Sequence, residues 1–234
     1  MLGWPQQDPQ FYQQQQQQMQ HANPNSQHYG SYGQNMTQNV HGQANPWQSF
    51  QFNSEDEFIG MFQHYASQSL GGIQAEELCR ILNEHPSIRN YYRVTWSLEL
   101  CKIMLAMLDR SRDGVMQYAE FRELLTCLLY WHRTFQEYDR DRSGFIEANE
   151  LHNIISSRFL YRLSAKSMTM LLKRYSKAMD DGRCLVAFDD FVTLSVRLRT
   201  YTEAFRARDR MQHNGETGTC QFSYDDFLQC TMSL

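Results

Sequence analysis

The sequence lacks the features that mark membrane-spanning or secreted proteins. Its 234 residues contain no apolar run of about 18 residues, so we expect no transmembrane helix. The first ten residues, MLGWPQQDPQ, have neither a basic cluster nor an apolar stretch, so we expect no signal peptide. The formal net charge is only −4, which does not favour binding to nucleic acid. These absences indicate a cytoplasmic protein.

Metal-binding cysteine pairs and catalytic signatures are also missing. The six cysteines show no CxxC pair and no zinc-like spacing with histidine, so we expect reduced thiols that pack in apolar helices. The chain has no GxSxG, P-loop, HExxH or Rossmann glycine pattern. Cys127 and His132 are five residues apart on one predicted helix and therefore point in different directions. We expect that the protein is not an enzyme.

Basic residues are absent from the first 50 positions, which contain 15 glutamines, four of the five prolines and one acid, Asp8. Such a segment cannot bury enough apolar surface to offset the loss of chain entropy. We therefore predict a disordered Gln/Asn-rich tail over residues 1–51 and a folded domain over residues 52–234. The tail is either passive or a binding segment for a partner, and its composition does not decide between the two.

The rest of the chain has the periodicity of helices. Ser54 before Glu-Asp-Glu and Ser164 before AKSMTMLL are typical helix N-caps. A broad apolar stripe runs along residues 118–138, and residues 188–209 show a similar pattern of apolar residues. No strand-like alternation of useful length occurs, so the fold class is predicted to be all-α.

Residues 139–150, DRDRSGFIEANE, match the calcium-binding loop pattern D-x-[DN]-x-[DN]-G-x₅-E, with serine at the fifth position. Calcium takes six to eight oxygen ligands, and such a loop supplies them as it wraps around the ion. Gly144 allows the sharp turn that this wrapping needs. The predicted ligands are Asp139, Asp141, Ser143, Phe145 through its carbonyl, Glu147 directly or through water, and Glu150. An acidic surface turn without a metal is the alternative interpretation.

The pattern recurs thirty residues earlier in residues 109–120, DRSRDGVMQYAE. The predicted ligands are Asp109, Ser111, Asp113, Val115 through its carbonyl, Gln117 directly or through water, and Glu120. This loop has three carboxylates against four in the loop 139–150. Because affinity rises with ligand charge, we expect tighter binding at the loop 139–150.

Three weaker echoes of the pattern occur at residues 66–77, 175–191 and 208–227. Each resembles a helix–loop–helix unit whose metal chemistry is weak or lost. Units of this kind pair through the apolar residue at loop position 8, so we expect the first to pair with the second and the third with the fourth. The fifth is then left over, and its segment of about residues 205–234 is expected to form a homodimer seam. Packing back onto its own chain is the alternative.

The five units resemble the penta-EF-hand family, and within it the sorcin and grancalcin branch. The resemblance is carried by LCKIMLAMLDRSRDGVMQYAEFREL, YDRDRSGFIEANEL and the end, YTEAFRARD…FSYDDFLQCTMSL, and it covers residues 52–234. It implies five EF-hand units with about eight helices, a homodimer through the fifth hands, and Ca²⁺-dependent binding of target proteins or membranes. It also implies calcium at the first loop, where Ala66 and Glu77 match the family ligands and Ser69 stands in place of an aspartate.

The sequence therefore favours a cytosolic calcium sensor. In this hypothesis Glu120 begins the helix that runs to Asp139, so ion binding at either loop reorients that helix and exposes apolar surface near Trp131, Met104 and Met107. Two alternatives remain open. One is a regulatory small subunit of a calpain-type cysteine protease, and the other is a passive calcium buffer.

Overall fold

The computed structural model describes residues 45–68, 70–213 and 215–232. Residues 1–44, to which most of the predicted tail belongs, and Ser69 lie outside the described residues, so the predictions for them stay predictions. None of the helices in the described ranges has both the length and the apolar composition that crossing a bilayer requires.

Helices account for most of the described chain, in agreement with the predicted class. They are α1 (Pro46–Ser49), α2 (Glu55–Tyr65), α3 (Ala75–Glu84), α4 (Pro86–Tyr92), α5 (Leu98–Leu108), α6 (Tyr118–Tyr138), α7 (Ala148–Asn153), α8 (Ala165–Tyr175), α9 (Phe188–His213) and α10 (Tyr224–Met232). A π-helical segment, Ile154–Arg158, continues α7 directly. Of these elements, α1 and α4 are short additions, and the other eight helices flank the five loops as predicted.

The capping residues predicted from the sequence begin their helices. The Ser54 hydroxyl accepts a hydrogen bond from the Glu57 backbone N–H at 3.2 Å, and the Ser164 hydroxyl accepts one from the Ser167 N–H at 3.1 Å. Three acids in the first turn of α2 favour the same end of the helix electrostatically. Local sequence therefore suffices to place these helix starts.

Three short strands pair the loops, although the sequence shows no strand-like alternation. They are β1 (Phe145–Glu147), β2 (Lys177–Ala178) and β3 (Cys184–Ala187), in the antiparallel order β1-β3-β2. Ile146 lies opposite Val186, which joins the third loop to the fourth. Ile73 and Met116 exchange both backbone hydrogen bonds, at 3.0 and 2.8 Å, which joins the first loop to the second. The predicted pairing of units is confirmed. The strands themselves were not predicted because each has only two to four residues, too few to show an alternating pattern.

The hydrophobic core is continuous and is organised around α6, where Phe121, Trp131 and Phe135 are buried. Phe121 packs against α2 through Phe58 at a ring-centroid distance of 5.8 Å. Phe135 packs against α9 through Phe188 at 5.3 Å. Because α6 contacts both ends of the molecule, a movement of this helix would disturb the whole core.

Residues 45–51, which we assigned to the tail, pack on the folded domain. Phe50 is 1 % exposed and lies edge-on to Tyr91 at 5.2 Å between ring centroids. The side chain of Arg122 donates a hydrogen bond to Asn45 Oδ1 at 3.0 Å. The folded domain thus includes residues before position 52. The apolar triplet of Trp47, Phe50 and Phe52 within a Gln-rich segment is the sequence signal for this extension.

The free energy of unfolding is expected to fall as the pH is lowered from 6.5 to about 4. Burial among aromatic rings, with a smaller contribution from the charge of Arg133, lowers the pKa of His132 to about 4. In this window the unfolded chain binds a proton that the folded chain excludes, so His132 stabilises the fold fully only above pH 6.5. The loss amounts to up to about 3 kcal/mol. Denaturant unfolding at several pH values should show a shallower acid dependence for His132→Leu, whereas an unchanged slope would contradict the assignment.

Candidate metal centre

The loop 109–120 wraps around the carboxylate of Asp109. Asp109 Oδ2 accepts a hydrogen bond from the Gly114 N–H at 2.8 Å, and Oδ1 accepts one from the Arg112 N–H at 2.8 Å. Asp113 turns back to accept from the Val115 N–H at 2.9 Å. Gly114 has φ +76°, and no atom lies within 4 Å of the position where a Cβ would stand. Glycine is therefore required here by backbone conformation rather than by space.

The loop 139–150 repeats this arrangement. Asp139 Oδ2 accepts from the Gly144 N–H at 3.0 Å, and Oδ1 accepts from the Ser143 N–H at 2.9 Å. Asp141 accepts from the same N–H at 3.1 Å, and hydrogen bonds from Ser143 lower the pKa of Asp141 and keep it ionised. Both loops place their fourth and sixth residues at positive φ. Two segments with different sequences thus adopt one local fold because they share aspartate at position 1 and glycine at position 6.

The glutamate at position 12 caps a helix in each of the first three units. Glu120 Oε2 accepts from the Gln117 N–H at 3.0 Å, while its Oε1 accepts from the Arg110 N–H at 3.1 Å. Glu150 and Glu77 make the matching bonds to the N–H groups three residues earlier, at 2.9 and 3.0 Å. Glu120 is 6 % exposed, so its charge is held by these two donors at the edge of the loop.

The donor chemistry of both loops fits a hard cation. Every predicted ligand offers an oxygen, from a carboxylate, a hydroxyl, an amide or a backbone carbonyl, and calcium prefers such ligands. No three carboxylate, His or Cys side chains in the described ranges converge on one point, because the position-12 glutamates turn to the helix starts and Asp113 turns to the backbone. The loop conformation agrees with the sequence pattern, and the assignment of individual ligands stays a prediction.

One helix joins the two candidate loops. Glu120 lies in the first turn of α6 and Asp139 is the residue at its carboxyl end. The 21 residues of α6 correspond to a rod of about 30 Å. A change in the position of either residue therefore acts directly on the helix that holds the other.

The first loop is stabilised by its own backbone. The Ser67 N–H donates to the Gly72 carbonyl at 3.0 Å, and the Gly71 N–H donates to the Ser67 carbonyl at 2.8 Å. A Cβ on Gly72 would stand 2.6 Å from the Met116 carbonyl oxygen, so this close contact between the first and second loops requires glycine. Ala66 is the residue that follows α2, and its N–H donates to the Phe62 carbonyl, while Ser69 lies outside the described residues. A ligand role for Ala66 and Glu77 stays a prediction.

The fourth loop places the guanidinium group of Arg183 beside the third loop. Arg183 Nε bonds Asp181 Oδ2 at 2.7 Å, and its Nη1 lies 3.5 Å from Glu147 Oε1. Hydrogen bonds from Arg183 also lower the pKa of Asp181. Because Glu147 stands at position 9 of the third loop, Arg183 neutralises part of the charge of that loop. The sequence analysis missed this residue, since only the β1–β3 pairing brings it there.

Replacing Arg183 with glutamine is expected to raise the calcium affinity of the loop 139–150 roughly two- to tenfold. A positive charge is removed from beside Glu147, and electrostatic repulsion of a divalent ion falls with it. Calorimetric titration measures the change. Arg80→Gln is the matched control, because Arg80 is also exposed and paired with a carboxylate, Glu84, but lies on α3. Equal affinities in the parent and Arg183→Gln would contradict the prediction.

The fifth loop holds its first carboxylate in a closed network. Asp209 is fully buried and accepts hydrogen bonds from the Thr217 N–H at 2.8 Å, the Thr217 hydroxyl at 2.7 Å and the Gly218 N–H at 2.9 Å. His213 Nδ1 lies 2.8 Å from the same carboxylate. Protein groups thus surround the Asp209 carboxylate, and the weak or lost metal chemistry of this unit stays a prediction. The sequence analysis did not identify Thr217 as a hydrogen-bond donor to Asp209.

The fifth unit leaves apolar side chains in solvent. None of the described residues of α10 is buried. Tyr224 is 79 % exposed, Phe227 is 52 % exposed and Met232 is 75 % exposed. Met211, at the end of α9, is 79 % exposed. Large exposed apolar surfaces of this kind mark interaction sites.

Comparison with known proteins agrees with this architecture. A family model described as an EF-hand domain matches residues 130–160. Mouse sorcin is 37 % identical over 186 residues, which cover 80 % of this chain and 87 % of sorcin. Human grancalcin is 39 % identical over 193 residues, which cover 82 % of this chain and 83 % of grancalcin. Zebrafish (Danio rerio) peflin is 34 % identical over 71 % of this chain and 57 % of peflin.

A solved structure shares the fold. It is a homologue of programmed cell death 6 protein from Leishmania major, with a TM-score of 0.50 and 23 % identity, over 81 % of this chain and 95 % of that one. The sequence relatives, the five helix–loop–helix units and the two matching acidic loops lead to one conclusion: this chain belongs to the penta-EF-hand family of calcium-binding proteins, close to sorcin and grancalcin.

Proposed function

We propose that this protein is a cytoplasmic calcium sensor whose second and third EF-hands bind Ca²⁺ and whose apolar surface then binds target proteins or membranes. The observation that carries this proposal is the matching conformation of the loops 109–120 and 139–150 at the two ends of α6. The proposed ligands are the oxygen donors of these two loops: Asp109, Ser111, Asp113, Val115, Gln117, Glu120, Asp139, Asp141, Ser143, Phe145, Glu147 and Glu150.

The glutamates at the ends of the two loops would couple calcium binding to a conformational change. When bound, Ca²⁺ supplies positive charge that offsets repulsion between the clustered carboxylates. Glu120 and Glu150 can bind the ion only by weakening their present bonds to backbone N–H groups at the helix starts. Because Glu120 belongs to α6 and Asp139 ends it, both residues act on the same helix. We propose that α6 thereby changes its angle to α5.

The surface that this movement would expose is now buried. Trp131 and Met104 are fully buried, and Met107 is partly buried and packs against the core. Methionine adapts well to partners of different shape, so such a surface suits target proteins. We expect calcium to change tryptophan emission and to increase the fluorescence of a dye that binds apolar surface. If neither signal changes on saturation with calcium, the sensor proposal fails.

We further propose a homodimer through the fifth EF-hand, about residues 205–234. The exposed Tyr224, Phe227 and Met232 support it, because a second copy would cover the same three side chains. The same surface would serve equally for pairing with a larger chain. A regulatory small subunit of a calpain-type cysteine protease is therefore the second candidate. Recovery of a protease chain with the tagged protein from native extract would favour it.

A passive calcium buffer is the third candidate. Buffer EF-hands bind calcium with little change in shape, so calcium uptake without dye binding would favour this function. In each of the three functions the protein binds calcium and carries out no catalysis itself.

A further inference from the structure

Positive charge is concentrated in residues 151–179. This segment contains six basic residues and no acidic one, although the net formal charge of the chain is −4. All six side chains are exposed: Arg158, Arg162, Lys166, Lys173, Arg174 and Lys177. At physiological salt a surface charge acts over only about 8 Å, so acids elsewhere in the chain offset this excess only where they lie beside it.

Two of the six basic residues do lie beside carboxylates. Arg158 Nη2 is 3.4 Å from Glu137 Oε2 on α6. Lys177, in β2, interacts electrostatically with Asp190 on α9. The charges of Arg158 and Lys177 are therefore partly neutralised within the chain, and these two residues are left out of the surface described next.

The charges on α8 share one side of that helix. Met168 and Leu172 belong to the hydrophobic core and fix which side of α8 faces inwards. The exposed side, called the α8 basic face, consists of Lys166, Met170, Lys173 and Arg174. Residues at i, i+4, i+7 and i+8 lie on one side of a helix. The three charges thus fall within about 12 Å along the helix axis.

Helix stability does not account for the charge of Lys166. This residue lies in the first turn of α8, where a positive charge opposes the helix dipole. Of the eight described helices that flank the loops, seven have an acidic residue in the first turn and α8 has none. Lys166 and Arg174 also form no ion pair with a carboxylate within the described ranges. A negatively charged partner would account for both side chains.

An apolar side chain stands among these charges. Met170 is 63 % exposed, with Lys166 one turn before it and Arg174 one turn after it. This combination suits the boundary of a lipid bilayer, where an apolar side chain enters the acyl region while lysine and arginine reach the headgroups. The four side chains come from one helix and form a ridge, which fits a flat headgroup layer better than it fits an extended acidic peptide.

We propose that the α8 basic face docks this protein on membranes whose surface carries anionic lipid headgroups. Lys166, Lys173 and Arg174 pair with the negative groups of the lipids, and Met170 enters the interface. The face is separate from the core around Trp131 and from the fifth unit. Docking through it needs no calcium, so it is independent of the sensor function.

Co-sedimentation of the full chain with lipid vesicles in EDTA tests this docking. Vesicles of phosphatidylcholine with about 30 % phosphatidylserine should bind the parent, and vesicles of phosphatidylcholine alone should not. The variant Lys166→Gln/Lys173→Gln/Arg174→Gln should lose at least about thirtyfold in affinity, because each basic side chain near an anionic surface contributes about fivefold. High salt should remove most of this difference.

The matched control removes three exposed basic charges from other helices. It is Arg89→Gln/Arg93→Gln/Lys102→Gln, with the changes on α4, on the residue that follows α4, and on α5. This control has the same net charge as the α8 variant. It should bind within about twofold of the parent, because distant charges are screened. Circular dichroism should show the helix content of the parent in both variants.

Met170→Gln gives a second readout. It should lose about fivefold in affinity, and this loss should persist at high salt because insertion of an apolar side chain is not screened. No binding of the parent to the anionic vesicles, or equal binding by the parent and the α8 variant, would overturn the proposal. Binding of poly-L-glutamate without binding of vesicles would assign the α8 basic face to an acidic protein and would overturn lipid docking as well.

Discussion

Replacing Glu150 with alanine is expected to lower the calcium affinity of the loop 139–150 by at least about tenfold. Glu150 stands at position 12, where an EF-hand loop supplies both oxygens of one carboxylate, so the substitution removes two of the six to eight ligand oxygens. It also removes the acceptor of the Glu147 N–H at the start of α7, which frees that helix end. Calorimetric titration should show two sites in the parent and, in the variant, only the weaker site of the loop 109–120 with its affinity unchanged.

Glu120→Ala tests the companion loop and should cause the smaller loss. The loop 109–120 has fewer carboxylates, so its calcium affinity in the parent is expected to be lower and there is less affinity to lose. Glu137→Ala is the control, because Glu137 lies on α6 near the third loop but pairs with Arg158 instead of the loop. Unchanged binding in both Glu120→Ala and Glu150→Ala would contradict the assignment of these loops.

The double substitution Tyr224→Ala/Phe227→Ala is expected to raise the dimer dissociation constant by about two orders of magnitude or more. Aromatic residues at the centre of an interface each contribute about 2 kcal/mol or more, and 1.4 kcal/mol is a factor of ten. Both side chains are exposed, so their loss leaves the fold of one protomer intact. Sedimentation equilibrium at micromolar concentration measures the change directly.

Met170→Ala is the matched control for the dimer. Met170 is 63 % exposed but lies on α8, away from the fifth unit. Circular dichroism should show unchanged helix content in all variants, because α10 keeps its ion pair between Arg208 and Asp226, and the ring contact of Phe205 with Phe222 just before α10 is also untouched. A parent that sediments as a monomer would contradict the proposed seam.

Much of the candidate site could be predicted from the sequence because it depends on local rules. Asp109 and Gly114 in one loop, and Asp139 and Gly144 in the other, adopt the same turn through bonds that span at most five residues. The helix 118–138 has the bounds given by its apolar stripe. In these segments every interaction that selects the conformation lies within a few residues along the chain.

Other features depend on contacts between distant segments. Arg183 reaches Glu147 only because β3 pairs with β1, and Phe50 is buried only because α4 and α6 offer an aromatic surface. The sequence therefore assigned residues 45–51 to the tail, although these residues pack on the folded domain. Composition averages over a window, whereas a single aromatic side chain in a matching cleft can hold a short segment in place.

The sequence by itself determined the class of the fold, the two acidic loops and the helix that joins them, because capping, turn formation and apolar periodicity act over short distances along the chain. Only the tertiary structure decided where the folded domain begins, which residue of the fourth loop lies beside Glu147, and which side chains the fifth unit leaves in solvent. Burial is a property of surfaces that meet in space, so those answers follow from the assembled helices and not from the order of residues.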